Sequence, residues 1–168
     1  MQCGFTLLET IVALGILAVV AAGVLPMAVV AVKTTENQGH LAARTTEYAQ
    51  DKLEQLLTLA WGDTISDTRV FPAAASGGTG LAVGGSLNQA APVAGYVDYL
   101  DINGNVVTGA GGNAPATWYY QRLWKVSLVA GRTNLKQVEV MAIVRLAAAG
   151  GAGLLPQSTI VALKTSPF

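Results

Sequence analysis

With 168 residues, 52% of them hydrophobic and only 12% charged, the chain has room for one globular domain once its apolar excess is set apart. A formal net charge of zero gives no overall attraction to nucleic acid or other polyanions. The single cysteine, Cys3, excludes an intramolecular disulfide and a cysteine-based metal site, and no apolar stretch precedes it as a lipoprotein signal would require.

The apolar excess lies at the N-terminal end. Residues 5–32 carry Glu9 as their only charge. As a helix they would extend about 42 Å, more than the ~30 Å hydrocarbon core of a bilayer. An ordinary secretory signal is excluded: Met1-Gln2-Cys3 has no basic side chain, the run is too long, and no small-x-small cleavage triplet occurs in it. A plain anchor explains the length but not Glu9, since a carboxylate in a membrane helix costs roughly 2.5–3.5 kcal/mol on insertion scales. A cationic partner for Glu9 would remove that cost.

The run Gly4-Phe5-Thr6-Leu7-Leu8-Glu9, followed directly by the long apolar segment, resembles the prepilin motif of type IV pilins and type II secretion pseudopilins. The resemblance implies that residues 1–4 are a leader, that a prepilin peptidase cuts between Gly4 and Phe5, and that the new amine of Phe5 is methylated. It implies that Glu9 sets assembly register by pairing with the Phe5 amine of a neighbouring subunit. The pairing is sensible physically, because a carboxylate in an apolar medium needs a compensating cation. The implied partners are prepilin peptidase, other pilin or pseudopilin subunits, an inner-membrane assembly platform and membrane lipid. Two features depart from the pattern. Prepilin leaders usually contain lysine or arginine, and by the positive-inside rule Lys33, Arg44 and Lys52 would place the C-terminal part in the cytoplasm. A start codon upstream, adding a basic leader, is therefore expected. The resemblance, not the charge count, implies a single-pass inner-membrane protein with a periplasmic C-terminal domain that later joins a pilus or pseudopilus.

Pro26, one turn after Gly23, removes a backbone donor and crowds the preceding turn, so a kink or loosening is expected there. From Lys33 to about Ala60 the helix continues as an amphipathic one. Leu41, Thr45, Tyr48, Leu53, Leu56, Leu57 and Ala60 recur at three- and four-residue steps, with Glu47, Asp51, Lys52 and Glu54 on the other faces. His40 has no carboxylate or second histidine at ligand spacing and reads as a surface side chain. Gly62 is a natural helix stop. Residues 62–95, rich in Gly, Ala, Ser and Thr, read as a loop; Ser76-Gly77-Gly78-Thr79-Gly80 is no phosphate loop, because no Gly-Lys-Ser/Thr follows.

Strand signals fill residues 96–166. Tyr96–Asp101 alternates, Asn103-Gly104 marks a hairpin, and Val106-Val107 resume. Asp101, Asn103 and Asn105 form a turn and not a calcium loop, since the glycine is misplaced and no acid closes it. Trp118, Tyr120, Arg122, Trp124, Val126 and Leu128 share one face; Gly131–Asn134 turns the chain; Val138, Val140, Ala142, Val144 and Leu146 share a face of the return strand. After the Ala/Gly link at 147–153, Ser158–Thr165 forms the last strand. The fold class is α+β: a long N-terminal helix, half membrane-embedded and half amphipathic, packed on an antiparallel sheet of three to five strands. That order matches the ladle shape of pilins. Leu53, Leu56 and Leu57 are expected to face Trp124, Val126 and Val140.

No catalytic constellation appears. The only histidine lies on the stem, and Asp98 and Asp101, three apart on a strand, point to opposite faces. The chain therefore reads as no enzyme, with no cofactor and no metal. The leading reading is a minor pilin of the PilV type or a type II secretion pseudopilin; a major pilin is the alternative. Residues 106–168 hold Arg122, Lys125, Arg132, Lys136, Arg145 and Lys164 against Glu139 alone. That bias motivates a lesser reading, a DNA-binding minor pilin of a competence system, although six cations on three strands more often form a solvated face.

Overall fold

The structure, a computed structural model, describes residues 6–109, 114–145 and 156–167. The expected features at Cys3, Gly4, Phe5, Leu146 and the 147–153 link lie outside the described residues. The chain divides into two compact units, Met1–His40 and Leu41–Phe168, and one helix, α1 (Leu7–Thr58), begins in the first and ends in the second.

The first unit is helix alone. Its side chains from Leu7 to Val32 are exposed except for a half-buried Ala21: Leu7, Val19 and Met27 are 78%, 75% and 75% exposed. The helix runs through Pro26 as one continuous element. Pro26 supplies no N–H to the carbonyl of Ala22, and the helix is held there by its neighbouring hydrogen bonds. Thr34 and Thr35 return their hydroxyls to the carbonyls of Val30 and Ala31, at 2.8 and 3.0 Å, which satisfies two polar groups beside the apolar run.

In the second unit the last turns of α1 pack on an antiparallel sheet, so the fold is α+β. The strands are β1 (Gly84–Gly85), β2 (Val97–Leu100), β3 (Val106–Val107), β4 (Tyr120–Leu128), β5 (Leu135–Val144) and β6 (Gln157–Thr165). They lie in the order β3-β2-β4-β5-β6, with β1 also paired to β4, one strand more than the sequence led us to expect. All pairings are antiparallel; Trp124 stands opposite Val140, and Val140 opposite Ile160. Alternation sorts the side chains. Tyr96, Leu100, Tyr120, Trp124, Val126, Val138, Val140, Ala142 and Val144 turn toward Tyr48, Ala49, Leu53 and Leu56 of α1 and form the main core. Leu57 packs at its edge, half-buried.

Val97, Tyr99, Leu123 and Met141 form a smaller cluster on the other face of the sheet. Trp118 belongs with that cluster, its ring 5.6 Å from that of Tyr99, and not with the face of Tyr120 and Trp124. It precedes β4, so strand parity does not govern it. The 62–95 segment is also more ordered than a plain loop. Asp67 and Ala74 exchange backbone hydrogen bonds at 2.8 and 3.1 Å, and β1 pairs along β4. Gly85, at φ +83°, lies against the backbone of Trp124 and the ring of Tyr96, where any Cβ would collide. Asp101 accepts from the N–H groups of Asn103 and Asn105 at 2.8 and 2.9 Å, which gives the hairpin turn its shape.

Candidate functional site

Of the residues that sequence reading assigned to processing and assembly, the structure describes Glu9, Gly23 and Pro26; Gly4 and Phe5 lie outside it. Thr6 begins the helix. Its carbonyl accepts from Glu9 and Thr10 at 3.0 and 3.2 Å, and its hydroxyl also faces the Glu9 N–H at 3.4 Å. Thr6-Leu7-Leu8-Glu9 thus has the spacing of a capping box, a start signal readable in the sequence that the motif resemblance overshadowed. Glu9 is exposed in the first turn, where the partial positive charge of the helix end favours an acid. Beyond it the apolar stretch is long and greasy enough to cross a membrane, with none of its most apolar window buried. Gly23 has open space around its Cα. A helix apolar all round and uncovered on every side needs lipid or other helices as its surroundings.

The second site-like feature was not read from the sequence. Helix positions Thr45, Tyr48, Ala49, Lys52, Leu53 and Leu56 are the buried stripe of α1, so Lys52 lies inward instead of on a solvated face. Its ammonium donates to Asp98 Oδ2 at 2.8 Å and to the carbonyl of Thr68, and it rests 4.2 Å from the centre of the Trp124 ring. Arg122 stands directly across from Asp98 in the β2–β4 ladder. It holds that carboxylate through Nε and Nη2, both at 2.8 Å, and reaches the exposed Asp51 at 3.2 Å. Lys52, Asp98 and Arg122 are 0%, 4% and 2% exposed. Burial works to raise the Asp98 pKa, but Lys52 and Arg122 outweigh it and hold the carboxyl below its usual range. Burial lowers the Lys52 pKa, with Asp98 opposing and Arg122 assisting. Arg122 moves up despite its burial, because Asp98 favours its charged form.

The basic residues of the C-terminal half prove to be largely employed within the fold. Lys136 donates to the carbonyls of Trp61 and Leu81 at 2.7 and 2.8 Å, and Lys164 to that of Leu57 at 2.6 Å. Lys164 thereby satisfies a carbonyl in the last turn of α1, where a cation also suits the helix dipole. Arg145 donates to Ala116 and Trp118 carbonyls at 2.7 and 3.2 Å, and Lys125 pairs with Glu139 at 3.4 Å. Arg132 occupies the exposed β4–β5 turn. Among the described residues Arg122 and Lys136 are buried while Arg132 and Arg145 are exposed, so the six cations do not all lie on one solvated face. Among the described residues no group of three or more His, Cys, Asp or Glu is placed to hold a metal.

Comparison with known proteins supports the N-terminal reading. Residues 1–25 match the family model described as the Prokaryotic N-terminal methylation motif. No curated protein and no solved structure matches the chain. The chain thus carries at its N-terminal end a methylation motif, a type IV prepilin-like signal of the kind that pilins and pseudopilins bear.

Proposed function

We propose that the chain is a structural subunit, a minor pilin of the PilV type or a type II secretion pseudopilin. In this reading prepilin peptidase removes residues 1–4 by cutting between Gly4 and Phe5, and the Phe5 amine is methylated. The mature chain waits in the inner membrane with residues 33–168 in the periplasm. An assembly platform then passes it into a filament, where lipid around residues 5–32 is exchanged for the helices of other subunits. Glu9 sets register by taking the Phe5 amine of a neighbour as its counter-charge, while Gly23 and Pro26 give α1 a point of local give.

One observation carries the reading: the matched methylation motif opens a helix whose large apolar side chains from Leu7 to Val32 are exposed, so burial for that stretch must come from outside the chain. The reading is tested by intact-mass and N-terminal analysis of the protein extracted from its own cells. A chain beginning at N-methylated Phe5 is expected; one that keeps its leader, or begins at another residue, overturns it. The involvement of the basic side chains in internal contacts supports an assembly role over a DNA-binding one.

A further inference from the structure

We propose that the buried Lys52–Asp98–Arg122 cluster is a register key, fixing which turn of α1 the sheet is seated on. Apolar packing alone leaves this choice poorly determined. The buried stripe of α1 repeats each turn, with Thr45, Tyr48 and Ala49, Lys52 and Leu53, then Leu56 along one line. A slide of one turn, about 5.4 Å, would carry an apolar or aromatic side chain into the place of its neighbour, and packed helices are known to move by such steps. Lys52 makes that slide unacceptable. After a one-turn shift either Tyr48 or Leu56 would face Asp98 and Arg122, and the ammonium would enter an apolar layer without Asp98 or the Thr68 carbonyl. Buried charges stripped of their partners are among the costliest defects a fold can carry.

The cluster is central as well as buried. It joins four parts of the chain: α1 through Lys52, the 62–95 segment through Thr68, β2 through Asp98 and β4 through Arg122. The other polar links between α1 and the sheet, from Thr45 and Thr46 to Ser158, from Lys164 to Leu57 and from Arg122 to Asp51, each have at least one partner that is partly or fully exposed. They would lose less if they exchanged partners with water. The key does not depend on the filament reading. In a chain assembled through its helix, however, it decides which helical turn carries the sheet.

Engineered disulfides in the full chain, in detergent micelles and with Cys3→Ser throughout, test this. Thr46→Cys with Ser158→Cys reports the native register, since the two hydroxyls lie 2.8 Å apart. Ala42→Cys or Gln50→Cys with Ser158→Cys reports a shift of one turn either way. With the key intact only the first pair should close. In the Lys52→Met, Asp98→Leu, Arg122→Met background, which keeps volume and removes charge, an off-register pair should close at a rate comparable with the native one. Closure of the native pair alone in that background overturns the proposal. Should the triple variant not fold, Asp98→Asn decides. That change is expected to raise off-register closure about tenfold or more, and an unchanged rate overturns the proposal.

Discussion

At the scale of single residues, Asp98 is the position on which most depends. It is the one acid serving two buried cations, so Asp98→Leu should destabilise the folded chain by about 3–5 kcal/mol, the usual cost of breaking a buried pair from one side. Urea unfolding of the full chain in micelles, followed by tryptophan fluorescence, measures it. The carboxyls also set an acid limit. Asp63 is held below its ordinary 3.8 by hydrogen bonds from Ser66 and Ile65 that outweigh its partial desolvation, Asp67 by the hydrogen bonds it accepts from Arg69, and Asp98 by Lys52 and Arg122. Each binds a proton less readily folded than unfolded, so their stabilisation is present above the unfolded value. It is lost as pH falls through the lower, folded values. Near-UV circular dichroism should therefore stay level from neutral pH to about 4.5 and decline only below about 4. Glu9 belongs to a different test. Glu9→Leu should be cut and methylated normally yet fail to enter filaments, and normal incorporation by immunoblot of sheared filaments would count against the register role proposed for it.

The elements show where sequence reading succeeds and where it stops. The helix, the turn at Asn103-Gly104 and the strand pair β4–β5 were legible because period and turn chemistry are local properties. Lys52 was not, because a lysine on a helix is ordinarily solvated, and only the pairing of β2 with β4 brings Asp98 and Arg122 to it. The clue was present: Lys52 is four residues from Tyr48, and Asp98 shares strand parity with Tyr96 and Leu100. The strand at Gly84–Gly85 had no local signal at all, since glycine is a poor strand former and its pairing depends on close approach to Trp124 and Tyr96. Two substitutions probe the elements. Leu56→Ala, at a fully buried position on α1, should cost about 2–5 kcal/mol of stability in urea unfolding. Gly104 lies in the β2–β3 turn at φ +89°, where an added Cβ would come 2.6 Å from Tyr48 Oη. Gly104→Ala should therefore destabilise the chain although it adds only a methyl group.

The whole molecule joins two solvents in one chain. Residues 7–32 suit hydrocarbon, while the described residues from 41 onward hold a core and a buried ionic cluster of their own. Removing residues 1–32 should therefore convert a detergent-dependent protein into one that stays in the supernatant after ultracentrifugation without detergent. That fragment would also reveal a liability at the margin of the sheet. Among the described residues β6 has no strand beyond it; it is nine residues long and contains no proline. Its outward side chains are Gln157, Thr159, Val161, Leu163 and Thr165, none of them charged. Natural sheets usually guard such margins with charge, proline or a bulge. Crowded together in solution, molecules with this unguarded margin would zip onto one another and precipitate, and a single Val161→Lys change should keep concentrated samples clear.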